Sequence, residues 1–200
     1  MDILPSKTDV LQQSGLFILL CPGQNEKMIQ VNELKISKNK VAKTFSVRNP
    51  IQINPYYYKQ DVLSGIINTA GGQKQPPLFE RAILLTDSNK WRLFVSGTAS
   101  IIGQETVAIG NQCEQTIVTI ENIRKLTSKE NLMIYFPEIN FDDHVRCSRI
   151  RVYVKNAGDI PEVKSICINH FGNIPSLYVH ADICRKDLLV EIEAEFISRQ

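Results

Sequence analysis

An α+β fold is predicted for residues 80–200: a mixed sheet carrying two helices on one face, in the order β-β-α-β-α-β-β. Three patterns predict it. Along 188–196 apolar and acidic residues alternate with a period of two, as a half-buried strand requires. Over 111–129, Cys113, Thr116, Ile117, Ile120, Ile123 and Leu126 recur at helical spacing. Two short apolar runs, 81–86 and 91–96, flank the polar turn Asp87-Ser-Asn-Lys90 and read as a hairpin.

Taken in order, residues 16–20, 28–36 and 41–47 are strand candidates separated by Gly and Asn-Lys breaks. Residues 49–79 are punctuated by Asn-Pro, Gly71-Gly72 and Pro76-Pro77, with a short helix expected near 58–67. This punctuation places a boundary between a β-rich part, 1–79, and the main unit, 80–200. After the hairpin and the 111–129 helix comes a strand at 146–154. A second helix is expected over 161–171, with Pro161 in its first turn and Gly172 at its end. Strands at 177–181 and 188–196 close the unit.

Composition narrows the function classes. An apolar fraction of 43% supports a packed core, and a net charge of +2 without basic–aromatic runs argues against nucleic acid as the main partner. The five cysteines are odd in number, dispersed and free of CxxC pairs, which fits reduced thiols rather than a disulfide framework or a metal site. His144, His170 and His180 show no ligand spacing, so neither a metal nor a cofactor is expected. Leu16–Cys21 is too short for a signal core or a membrane span, and the chain is expected to be cytoplasmic and away from membranes.

On the last strand Leu188, Val190, Ile192, Ala194 and Phe196 point one way, and Leu189, Glu191, Glu193 and Glu195 the other. Burying three glutamates on one face is costly, so at least one of them is expected to sit in a pocket for a reason. The 146–154 strand repeats the division. Ile150, Val152 and Val154 face the helices, while Arg149, Arg151, Tyr153 and then Lys155 lie opposite. A polar face of this kind lines a pocket, an oligomer interface, or both.

Several blocks stand in one order. Leu93-Phe-Val-Ser-Gly-Thr-Ala-Ser-Ile-Ile-Gly103 precedes Gln112, Gln115 and Ile120-Glu-Asn-Ile123. Arg151-Val-Tyr-Val154, Ile174-Pro-Ser-Leu-Tyr178, Ala181-Asp-Ile-Cys-Arg185 and Leu188-Leu-Val-Glu-Ile-Glu193 follow. This order resembles the Rid (YjgF) superfamily, with its chorismate-mutase-like fold. The Ser-Gly-Thr-Ala-Ser-Ile and Asp-Ile-Cys-Arg blocks, with Leu78-Phe-Glu-Arg-Ala82, look like its chorismatase branch. The similarity covers residues 78–196, and residues 1–77 match nothing recognisable.

The resemblance implies an enzyme that releases pyruvate from chorismate by protonating its enol ether, leaving a dihydroxycyclohexadiene carboxylate or a hydroxybenzoate. It implies Glu191 as general acid. Chorismate carries two carboxylates, so Arg81, Arg149, Arg151 and Lys155 are candidate anchors, Arg81 by the best match. Tyr178, Gly97, Ala99 and Cys184 are candidate lining residues, with Gly97 expected to supply backbone freedom and Ala99 close approach. Arg185 reads as structural. Ordinary alternatives stand beside each: a strand glutamate with a basic neighbour, surface ion pairs, a half-buried sheet tyrosine, a small core thiol.

Two rival functions remain open. Rid enzymes that hydrolyse enamines and imines use a penultimate-strand arginine, and that position falls at or beside Ser176 here. A non-catalytic scaffold is the other rival, since residues 1–79 are too short for a complete second Rid-like copy and Gln104 replaces a histidine common in the branch. Rid domains assemble as trimers, so the resemblance implies either a homotrimer through the main unit or a monomer whose residues 1–79 cover the sheet edge.

Overall fold

In the computed structural model, which describes residues 34–37, 40–63, 74–87, 90–137, 139, 141 and 145–198, the alternating strand lies inside a seven-stranded sheet. Nine strands are described: β1 (Leu34–Ser37), β2 (Lys40–Val47), β3 (Ala82–Asp87), β4 (Lys90–Ala99), β5 (Ile101–Ile102), β6 (Glu105–Thr106), β7 (Arg146–Val154), β8 (Ser176–His180) and β9 (Val190–Ile197). Their order in the main sheet is β1-β2-β3-β4-β9-β7-β8, while β5 and β6 form a separate small ribbon. Neighbours are antiparallel except β7 and β8, which are parallel. A parallel pair needs a crossover, and α3 (Ile160–Phe171) supplies it. The result is the expected mixed sheet with helices on one face.

That face holds the core. Val152, Val154, Val190, Ile192 and Ala194 from the sheet meet Ile120, Ile123 and Leu126 of α1 (Gln112–Thr127) and Val163 and Cys167 of α3. Ile117, expected on the buried stripe of α1, is instead exposed. Gln115, Thr119 and Asn122 take inward positions, and the Gln115 and Asn122 side chains serve the backbone of the site. The helix expected over 111–129 also breaks at Ser128, whose extended backbone and side-chain oxygen cap a further helix, α2 (Lys129–Tyr135). Ser128 accepts a hydrogen bond from the Asn131 amide at 3.2 Å, a local alternative to continuing α1.

The boundary at residue 79 does not divide the sheet. β2 pairs along its length with β3, from Lys43 opposite Thr86 to Val47 opposite Ala82. Residues 50–63 then cross to the far end of β4, where Gln52 bridges Gly103 and Ile53 donates its amide to the Gly103 carbonyl at 2.8 Å. The helix expected near 58–67 is two short 3-10 turns within the described residues, Pro55–Tyr57 and Gln60–Val62. The strand expected at 16–20 and most of that at 28–36 lie outside the described residues.

Candidate active site

The site begins with a break in β-pairing. β4 and β9 run in register from Arg92 opposite Ile197 to Val95 opposite Ala194, shift, and resume with Thr98 opposite Ile192 and Ala99 opposite Glu191. The shift falls beside Gly97, where the two strands crowd a side chain of β9. A methyl carbon on residue 97 would stand 2.8 Å from Glu191 Cδ and closer still to Oε1. Gly97 is therefore needed for the approach of the Glu191 carboxyl group. Its φ is not in the left-handed region, so the expected backbone freedom is not its role.

Glu191 is half-buried, and its pKa is pushed up to about 7. Burial is the main cause, the Glu193 carboxylate adds to it, and the Arg81 charge pulls the other way. Near neutral pH the group exists in both protonation states, as a proton donor that must be recharged requires.

Arg81 stands just before β3 and is 2% exposed. Its Nη2 donates to the Ile53 carbonyl at 2.6 Å and to the Tyr58 hydroxyl. Its Nε is buried with no hydrogen-bond partner. Arg185, 8% exposed, lies over the same tyrosine, with Cζ 4.8 Å from the Tyr58 ring centroid against 5.7 Å for Arg81. Arg185 Nη1 donates to the Gln104 carbonyl at 2.7 Å, and its Nη2 is buried and unpartnered. Gln104 in turn accepts the Lys59 amide through Oε1 at 3.1 Å, so the chain around Tyr58 is held from both sides.

The strand end that carries Ala99 is fixed from the helix layer. Asn122 Nδ2 donates to the Ala99 and Ile101 carbonyls, both at 2.9 Å, and Asn49 Nδ2 donates to the Asn122 carbonyl at 2.9 Å. Gln115 clamps the loop before β9, donating to the Asp187 carbonyl and accepting the Leu189 amide, each at 2.8 Å. Ala99 itself packs with Ile101 and Leu188 in a small core of its own.

Cys184 is exposed as a residue, yet desolvation of its thiol and then the Glu191 carboxylate raise its pKa. A sulfur kept protonated in this way lines the site and is a poor nucleophile.

Glu191, Arg81, Gly97, Ala99 and Cys184 thus gather at one end of the β4–β9 pair. The other sequence candidates stand elsewhere. Arg151 lies opposite Glu193 on β7 and pairs with it at 2.9 Å, and Tyr153 donates to the same oxygen at 3.2 Å. Arg149 lies opposite Glu195 and pairs with that carboxylate, which Arg92 approaches at 3.9 Å. Register explains both pairings: like-facing residues of adjacent strands meet directly. Lys155 Nζ donates to the Lys186 carbonyl at 2.6 Å and ties the end of β7 to the loop before β9.

Tyr178 is opposite Val152, and Val152 is opposite Ile192, so all three face the helices. Its hydroxyl is buried against that core, on the side of the sheet away from Glu191. The substrate-lining role expected for Tyr178 is corrected on this ground.

Sequence reasoning missed Tyr58 and set Arg185 aside as structural. The run Tyr56-Tyr57-Tyr58 after Pro55 was a visible signal, but only the long-range bridge at Gly103 brings it to the site.

No family model matches the chain. Among curated proteins it is 34% identical over 153 residues to a 3-hydroxybenzoate synthase of Streptomyces hygroscopicus, covering 74% of this chain and 42% of that protein. It is 39% identical over 126 residues to a chorismatase of Streptomyces rapamycinicus, covering 60% and 36%. The chain thus spans less than half the length of these relatives. A 74% match also reaches beyond residues 78–196, into the part that had matched nothing recognisable.

Among solved structures a chorismatase crystal structure superposes with a TM-score of 0.65 at 27% identity, over 76% of this chain and 43% of that one. A structure from Entamoeba histolytica described as an endoribonuclease L-PSP candidate shares the fold, with a TM-score of 0.50 at 14% identity over 77% of this chain and 98% of that one. By sequence the chain is similar to chorismatases over part of their length, and its fold is that of the chorismatase and L-PSP structures.

Proposed function

We propose that the chain carries a chorismatase-type activity, releasing pyruvate from chorismate with Glu191 as general acid. One observation carries the reading: a glutamic acid pushed up to about 7, lodged against Gly97 and within range of the buried Arg81 charge. The relatives named chorismatase and 3-hydroxybenzoate synthase support it.

Protonated Glu191 gives its proton to the terminal methylene carbon of the enol ether. The C=C electron pair forms the new C–H bond, and the positive charge is shared between the former vinyl carbon and the ether oxygen. Arg81 holds the carboxylate on that same carbon, which sets the methylene toward Glu191. Water adds to the carbon and returns a proton to the Glu191 carboxylate. The hemiketal then collapses: the ring oxygen leaves as a hydroxyl, and pyruvate and a dihydroxycyclohexadiene carboxylate part. If the neighbouring ring hydroxyl attacks in place of water, the cyclic ketal opens by breaking that hydroxyl's bond to the ring as a ring proton is lost. Its oxygen leaves as the keto oxygen of pyruvate, the ether oxygen stays on the ring, and a hydroxybenzoate results with no net gain or loss of water. Neither course calls for a metal or a cofactor.

The test is a pyruvate-release assay on chorismate beside an imine-hydrolysis assay with the same protein. Pyruvate formation without imine hydrolysis is expected. Imine hydrolysis alone would transfer the site to the deaminase reading, and binding of chorismate without turnover would favour the scaffold.

In assembly, we propose a homotrimer that turns the Arg149–Glu195 and Arg151–Glu193 face of the sheet toward neighbouring copies. Leu177, 56% exposed beside Arg151 on that face, supports it. Light scattering should give three times the chain mass, and a monomeric mass would rule the trimer out.

A further inference from the structure

We infer that Thr98 is a positioning residue for Glu191: its hydroxyl, through the Ser96 carbonyl, locks the β-bulge that opens the notch at Gly97, and Ser96 ties that bulge to the strand of Arg81. This inference rests on the reading of Glu191 as the enol-ether acid.

The bulge is written in the register. Val95 stands opposite Ala194 and Thr98 opposite Ile192, so Ser96 and Gly97 together face the single residue Glu193. The core-facing side of β4 changes parity there, from Leu93 and Val95 to Thr98. One common kind of bulge is imposed by a glycine in the left-handed region. Gly97 is not in that region, so its backbone preference does not hold the extra residue in place. The neighbouring hydroxyls do.

Thr98 Oγ1 donates to the Ser96 carbonyl at 2.9 Å, and Ser96 Oγ donates to the Glu80 carbonyl at 2.7 Å. The Ser96 amide donates to the Arg81 carbonyl at 3.1 Å, so its amide, carbonyl and hydroxyl are all engaged. The Ser96 carbonyl belongs to the peptide that enters Gly97, and the Glu80 carbonyl to the peptide that enters Arg81. One hydroxyl therefore fixes the notch, and the other fixes the start of the arginine's strand. A threonine is otherwise out of place at position 98. It is 0% exposed and paired with Ile192 on the core side, where valine has the same shape and no hydroxyl to desolvate. The bond to Ser96 is what the hydroxyl adds.

The test is Thr98→Val, which keeps shape and burial and removes the bond. With the Ser96–Gly97 peptide free to turn, the Glu191 carboxyl leaves its seat and meets water. For pyruvate release, kcat should fall about tenfold, short of the about 10²-fold that a displacement on the order of 1 Å costs, with KM within about twofold. Thr98→Ser keeps the hydroxyl and should restore kcat. Ser96→Ala acts at the other end: by freeing the peptide that enters Arg81 it should raise KM about threefold to tenfold, the scale of one hydrogen bond.

A second readout needs no turnover. NMR spectra of protein labelled at the glutamate carboxyl carbons follow the titration of Glu191, whose signal is identified by its loss in Glu191→Gln. The charged and titratable groups around it are Arg81, Glu193, Cys184 and, opposite on β7, Tyr153, and Thr98→Val alters none of them. A carboxyl that gains water should titrate about one pH unit lower in this variant. Thr98→Ser should titrate as the unaltered protein does.

A titration and a kcat unmoved by Thr98→Val would overturn the lock. Equal losses in Thr98→Ser would overturn it too, since the methyl group and not the hydroxyl would then matter. Should Thr98→Val fail to fold, Thr98→Ala removes the same bond and carries the same prediction. The outcome is separable from that of the acid reading. A lowered titration without pyruvate release from the unaltered protein keeps the lock and removes the acid. Release that depends on Glu191, with a titration unmoved by Thr98→Val, keeps the acid and removes the lock.

Discussion

Glu191→Gln is expected to lower pyruvate release from chorismate by about 10²–10⁴-fold, the usual scale of a lost general acid, while chorismate binding changes only a few-fold. Glutamine keeps the volume and a hydrogen-bonding head but has no proton to give. The same substitution carries a stability signature of defined sign. Glu191 titrates near 7 in the fold, above the ordinary carboxylate value, so the folded chain holds its proton more tightly than the unfolded one. The cost of the buried charge is absent below the unfolded pKa, grows as pH rises, and is complete above about 7. Glu191→Gln should therefore stabilise the protein above pH 7 by about 1–3 kcal/mol and leave it unchanged near pH 4. Denaturant unfolding at the two pH values measures this. A variant that is active, or no more stable at high pH, would remove Glu191 from the role.

Gly97→Ala is the second large effect. The added carbon meets the far end of a side chain that can swing aside, and no backbone atom stands among its nearest contacts. Folding should survive, with a Tm close to that of the unaltered protein. The carboxyl group, however, must leave its seat. A displacement on the order of 1 Å at a reacting group costs about 10²-fold, so kcat should fall by at least that much while KM changes little. The displaced carboxyl also loses desolvation, so the residual activity should fall off at lower pH than in the unaltered protein. Kinetics and a thermal melt on the one variant check both halves, and normal kcat would show that the crowding at Gly97 has no catalytic meaning.

The fold was largely legible because its signals are local. Period-two alternation marked β9 and β7, helical spacing marked α1, and the Pro161–Gly172 bracket marked α3. Parts of the site were less so, for reasons of register and long-range pairing. Arg149 and Arg151 were read as anchors because their face was right. That they stand opposite Glu195 and Glu193 depends on β7 and β9 being neighbours, which sequence order does not state. Tyr178 was assigned without its register, and pairing with Val152 turns it toward the helices. Gly97 was noticed, but its purpose lies in a contact with Glu191, 94 positions away in sequence. Tyr58 reaches the site through a bridge between Gln52 and Gly103 that no local pattern announces.

Pyruvate release from chorismate, followed as kcat/KM across pH 5.5–9, tests the central claim most directly. A proton donor titrating near 7 predicts a plateau on the acid side and a tenfold fall per pH unit above about 7. A rate that stays flat through pH 8, or no pyruvate at any pH, would contradict it.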